Sequence, residues 1–79
     1  MTDKMPVVKG KELLIFYIKM GCELKRVKGS HHVLKSKFNG KIFVIPVHSN
    51  EDLDKGTLKN IIIQSGLSFD EFLECWKQI

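Results

Sequence analysis

Cysteine is scarce in this 79-residue chain, and the two present, Cys22 and Cys75, show none of the paired spacing of a disulfide framework or a zinc site. Long apolar runs are missing as well. The longest, Leu13 to Ile18, falls far below the ~20 residues needed to cross a bilayer. The N-terminal residues also lack the charged-then-apolar pattern of a signal peptide. A reduced cytoplasm with no membrane role is the expected setting. There is no Gly-rich P-loop and no dinucleotide fingerprint. A chain this short buries only about 60 to 65% of the surface exposed when unfolded, which excludes a second folded domain and a large enclosed cofactor pocket. One domain over residues 1–79 and no cofactor are expected. With 43% hydrophobic and 28% charged residues, the composition is that of a globular protein, neither disordered nor collagen-like.

A further absence is more specific: no Asp or Glu occurs from residue 24 to residue 50. That stretch holds Lys25, Arg26, Lys28, Lys35, Lys37 and Lys41 and stands at +6, whereas residues 51–79 stand at −3 and the whole chain at +4. A concentrated basic block points to a polyanion such as nucleic acid. Lysines that merely keep strand edges soluble would give the same local count.

The pattern along the chain divides into helix, strands and helices. Residues 1–9, interrupted by Pro6, read as a loose lead-in. Leu13, Leu14, Tyr17 and Met20 fall at helical spacing over Lys11 to Met20, with Gly21 as the left-handed stop. The run Leu-Leu-Ile-Phe-Tyr-Ile also suits a buried strand, and the flanking glycines favour the helix. Glu23 to Lys28, His31 to Phe38 and Lys41 to Val47 are rich in strand formers and separated by Gly29-Ser30 and Asn39-Gly40. Asn-Gly predicts a hairpin through a type I′ turn, because both residues tolerate positive φ. Thr57 reads as the N-cap of a helix closed by Gly66, and Ser68 with Glu71 forms a capping box for a last helix. The expected fold class is α+β, in the order α-β-β-β-α-α, with helices on one face of a three-stranded antiparallel sheet. The other face is left open to solvent.

Adjacent residues of a strand point to opposite faces. His32 shares its face with Leu34, Ser36 and Phe38, and is expected beneath the helices as a half-buried ring with a satisfied nitrogen. His31 shares its face with Val33, Lys35 and Lys37 and is expected on the open, basic side. An imidazole among lysines suits RNA cleavage. The 2′-hydroxyl is an internal nucleophile, so an enzyme needs only a base for its proton and cations for the charge of the phosphorane. His31 is the candidate base, with Lys28 and Ser30 close to the scissile phosphate and Lys25, Arg26, Lys35 and Lys37 along the RNA backbone; a histidine at the start of a strand also reads as a plain surface residue or a hydrogen-bonded turn partner. The acid that protonates the leaving 5′-oxygen is left open among Lys28, His32, His48, water and His31 itself, doubling as acid. His48 is expected either to cap the loop that follows it or to lie near the site, the former being favoured. A metal site fits poorly, because the histidine-bearing region lacks carboxylates and adjacent His31 and His32 cannot share an ion from one strand. Phe69, Phe72 and Trp76, at helical spacing, are read as core. A non-catalytic RNA-binding module using the same face is the alternative.

Several segments, in order, carry a family likeness. They are Pro6-Val7-Val8-Lys9-Gly10-Lys11-Glu12-Leu13, Val27-Lys28-Gly29-Ser30-His31-His32, Val44-Ile45-Pro46-Val47-His48, Leu53-Asp54-Lys55-Gly56-Thr57-Leu58, Gln64-Ser65-Gly66-Leu67-Ser68 and Glu71-Phe72-Leu73. Together they resemble the HicA (YcfA-like) toxins of toxin–antitoxin pairs, over nearly the whole chain. The resemblance implies a double-stranded-RNA-binding-domain-like fold, a metal-independent mRNA interferase and a HicB-type antitoxin that covers the active face. The family's catalytic histidine falls on His31, and the glycine and serine of its Gly-Ser-His motif fall on Gly29 and Ser30; the motif does not extend to His32. Lys55 departs from the proline that many members carry before Gly-Thr-Leu.

Overall fold

The computed structural model describes residues 6–77. Its elements are α1 (Gly10–Met20), β1 (Glu23–Lys28), β2 (His31–Lys35), β3 (Ile42–Pro46), α2 (Lys55–Ser65) and α3 (Phe69–Lys77). The strands form one antiparallel sheet in the order β1-β2-β3. The expected α+β architecture, three helices with an open three-stranded sheet, is the one observed.

Buried Leu34, Phe43 and Ile45 come from one face of β2 and β3 and meet Leu13, Phe16 and Tyr17 of α1 and Leu58, Ile61 and Ile62 of α2. Phe16 is central to the aromatic packing, with its ring centroid 5.2 Å from Phe72 and 5.3 Å from Trp76 of α3. Edge-to-face and stacked pairs of this kind are worth about 0.5–1.5 kcal/mol each beyond the area they bury. The aromatic stripe of the last helix is therefore core, as its spacing predicts. The helices cover β3 and the centre of the sheet but not β1, whose six residues are all exposed. Leu24 and Val27 lie on the helix side of the sheet and stay 40% and 52% exposed at this uncovered edge.

Helix ends follow local chemistry with one correction. Gly21 and Gly66 adopt left-handed conformations, with φ of 106° and 89°, at the ends of α1 and α2. Ser68 and Glu71 exchange the two hydrogen bonds of a capping box. α2, however, starts earlier than expected. Asp54 holds the N-cap position with extended backbone, and Thr57 lies inside the first turn, its hydroxyl donating to Asp54 Oδ1 at 2.6 Å. That bond holds the exposed Asp54 carboxyl below the usual carboxylate range.

The β2–β3 hairpin forms, but not through a type I′ turn. β2 ends at Lys35 rather than Phe38, and only Gly40, at φ 72°, has positive φ in the loop. Buried Ser36 is the cause: its hydroxyl donates to the Ser65 carbonyl and accepts from the amides of Phe38 (3.0 Å) and Asn39 (3.4 Å). A side chain that claims these amides competes with the ladder. Gly40 N then closes on Ser36 O at 3.0 Å, giving a wider loop.

The lead-in is anchored at its C-terminal end. Residues 1–5 lie outside the described residues. Val8 is fully buried and accepts from Leu53 N at 2.8 Å, and Lys9 Nζ lies 3.0 Å from Asp52 Oδ1. The expectation of a loose segment through Lys9 is therefore wrong for these two residues, because Val8 contributes apolar area to the core.

Candidate functional site

The turn between β1 and β2 is two residues long, since Lys28 pairs with His31. Gly29 has φ 59° and Ser30 does not share the positive sign, the pattern of a type II′ turn with glycine at its first central position. No atom outside Lys28, Gly29 and Ser30 lies within 4 Å of where a Gly29 Cβ would stand, so the turn is open above the backbone. The carbonyl of Ser30 ties this turn to the rest of the sheet. It accepts from Val47 N at 2.7 Å and from His32 Nδ1 at 3.2 Å. Because a carbonyl only accepts, the His32 proton sits on Nδ1. His32 is thus the half-buried, satisfied ring expected of it, directed away from the open face.

Strand register sorts the open face into rows, because directly paired residues share a face. Lys28, His31 and Pro46 form the first row; Arg26, Val33 and Val44 the second; Glu23, Lys35 and Ile42 the third. His31, Arg26, Lys28 and Lys35 are exposed, and Ile42 is 53% exposed. Two residues along a strand advance about 6.6 Å, so Arg26 is one row and Lys35 about 13 Å from His31. The surface is mixed: an apolar strip of Val33 with Ile42, Val44 and Pro46 of the edge strand β3 lies beside the cations of β1 and Lys35.

The basic residues expected around His31 are therefore only partly gathered there. Lys28, Gly29 and Ser30 adjoin it, and Arg26 follows. Lys25 is the extra residue of a bulge between Leu24 and Arg26, and its Nζ lies 3.3 Å from Glu23 Oε2. Lys35 faces Glu23 in the third row. Lys37 lies beyond the end of β2, next to Gly21 and with its Nζ 6.0 Å from the centre of the Phe38 ring. Its alternation with Lys35 put it on the basic face, but the early end of β2 turns it away. Arg26 and Lys28 make no ion pair among the described residues.

Of the two expectations for His48, capping of the following loop is met by its backbone and not by its ring. Its carbonyl accepts from Glu51 N at 2.9 Å, and its exposed ring makes no hydrogen bond among the described residues. No group of three metal-ligating side chains occurs among the described residues. A cleft of about 600 Å³, lined by Met20, Phe38, Leu67, Glu71, Glu74 and Cys75, contains no residue of the His31 turn. No described helix is long and apolar enough to cross a membrane.

These features define a small α+β domain that presents a histidine-bearing turn at one end of an uncovered sheet face. The family of HicA toxins of bacterial toxin–antitoxin systems matches residues 10–67, which include every strand and the His31 turn. The chain belongs to this HicA toxin family. It is accordingly the toxin of a toxin–antitoxin system, a class that has an antitoxin as partner. No curated protein matches the chain.

Proposed function

We propose that the protein is a metal-independent endoribonuclease that cleaves mRNA in the cytoplasm, with His31 as the general base. One observation carries this reading: His31 is exposed at the end of the open face, opposite Lys28 and beside an unobstructed glycine turn. The imidazole takes the 2′-hydroxyl proton as the 2′-oxygen attacks phosphorus. Lys28 and Arg26 supply positive charge for the non-bridging oxygens, and the Gly29-Ser30 backbone admits the phosphate closely. Base catalysis of this type contributes roughly 10² to 10⁴-fold. Lys35 extends the track for the RNA backbone, while Lys25 and Lys37 stand outside it.

The antitoxin in this reading is of the HicB type and covers the same face. The strip of Val33, Val44, Ile42 and Pro46 beside these cations supports this, since it combines apolar area with charge for an acidic partner. Incubating the purified protein with RNA and EDTA tests the enzyme. New 5′-hydroxyl ends from the parent, and none from His31→Ala at unchanged melting temperature, are the expected result. Salt-sensitive RNA binding without any product would instead make the protein a binding module, and equal cleavage by His31→Ala would remove His31 from the mechanism.

A further inference from the structure

The β2–β3 register leads to a second histidine. His31 pairs with Pro46, and the ladder continues one step past the end of β3, where Val47 N donates to Ser30 O. The next residue is His48, and because Val47 packs against the core, alternation returns His48 to the face that carries Pro46 and His31. Gly29, in the turn before His31, has no side chain, and nothing beyond its two chain neighbours stands within 4 Å of where its Cβ would be. Two residues past the partner of His31, His48 takes the diagonal position relative to it, a relation in which residues of a ladder lie about 7–8 Å apart, within reach of long or aromatic side chains.

The backbone at this position is held on both sides although the ring is exposed. Before it, Val47 is bound to Ser30; after it, the His48 carbonyl receives Glu51 N. Ser49 follows at φ 44°, the single non-glycine residue with positive φ among the described residues. A left-handed non-glycine residue persists where its surroundings determine it. Those surroundings are the anchored loop end, with Leu53 N bound to Val8 O and Asp52 paired with Lys9.

We propose that His48 is the general acid that protonates the 5′-oxygen leaving group. This rests on the nuclease reading of the same face. In-line displacement places the attacking and leaving oxygens on opposite sides of phosphorus, so base and acid must flank the phosphate. Two imidazoles on diagonal positions of one face do so. In the step, the 2′-oxygen to phosphorus bond forms as a ring nitrogen of His31 takes the 2′-proton. The phosphorus to 5′-oxygen bond breaks as the imidazolium of His48 gives its proton to that oxygen. The products are a 2′,3′-cyclic phosphate and a 5′-hydroxyl, with His31 protonated and His48 neutral. The competing donors fit less well. His32 lies on the helix side and is engaged with Ser30 O. A lysine ammonium holds its proton far more tightly than imidazolium does, so it is the poorer donor near neutral pH.

The test uses RNA whose scissile 5′-oxygen is replaced by sulfur, because a thiolate leaves without being protonated. His48→Ala and His48→Gln should lose about 10² to 10⁴-fold on ordinary RNA, the range for one acid–base group. Both variants should cleave the sulfur-linked RNA close to the parent's rate, whereas His31→Ala should be inactive on both. An equal loss on the two substrates, or ordinary RNA cut by both His48 variants at the parental rate, would overturn the proposal and leave His31 in place. A parent that cuts neither substrate would overturn the nuclease reading and this one with it.

Discussion

The phenol of Tyr17 lies 2.8 Å from Ser65 Oγ, a buried contact that joins α1 to α2 across 48 residues. The Ser65 hydroxyl spends its own proton on Ile62 O at 2.7 Å, so Tyr17 is the donor. Ser36 donates to the carbonyl of the same Ser65, which makes one residue the junction of the first helix, the hairpin loop and the second helix. The network leaves no buried side-chain polar atom without a partner among the described residues.

Tyr17 should not ionise in the folded protein at the pH where a free tyrosine does. Burial raises its pKa well above the ordinary value, and Cys22 adds to the rise. Above about pH 10 the unfolded chain sheds the phenolic proton and the native state keeps it, so stability falls as pH rises further. Tyr17 is the only tyrosine, so phenolate absorbance reports this site alone. Its appearance should coincide with loss of structure by circular dichroism; phenolate forming near pH 10 with the fold intact would contradict the burial argument. Tyr17→Phe should remove this ionisation at a cost of about 0.5–1.5 kcal/mol.

Ser36→Ala should be more damaging than an ordinary surface substitution. It deprives the Ser65 carbonyl of a donor and the Phe38 and Asn39 amides of an acceptor. Leaving buried groups unsatisfied costs about 1–3 kcal/mol. A lower urea midpoint with unchanged slope is the expected reading, and a midpoint equal to the parent's would mean that water replaces the hydroxyl.

Two glycines should fail for different reasons when changed to alanine. At Gly10, the first residue of α1, a Cβ would run into the Pro46 carbonyl oxygen and lie 3.1 Å from Val47 Cα, all of it backbone. Overpacking of this kind costs about 1–3 kcal/mol, more than the helix propensity gained. At Gly29 there is room, and the cost is conformational, about 1–2 kcal/mol at its left-handed φ of 59°. Gly29→Asn, which tolerates that conformation, should recover part of the loss, whereas no side chain should rescue Gly10. Melting curves of the three variants decide this.

RNA affinity should depend on row and not on charge alone. Lys28→Gln removes a cation from the row of His31 and should lower the slope of log affinity against log salt by about 0.7 on single strands. Lys37→Gln should leave the slope unchanged, because that side chain is turned toward Gly21 and Phe38. Equal effects of the two substitutions would argue for diffuse attraction by the whole basic block.

Much of the fold is legible because the signals are short-range. Apolar spacing over Leu13, Tyr17 and Met20, left-handed glycines at Gly21 and Gly66, and the Ser68–Glu71 box each act within a turn or two of chain, and each element forms where those signals lie. The exposure of His31 and the half-burial of His32 follow from strand alternation alone. Alternation could not say where β2 stops. That depends on the Ser36 hydroxyl finding Ser65, 29 residues away, and it turns Lys37 off the face on which counting put it.

The length, the acid-free basic block, the element order and the outward histidine of the Gly-Ser-His turn were thus settled by residue order, since they depend only on neighbours within a few positions. Which cations stand beside that histidine, and the bond from Val47 to Ser30 that brings the end of β3 to the His31 turn, depend on strand register and on hydrogen bonds between distant segments. Such contacts exist only once the chain has closed on itself, and no local pattern encodes them.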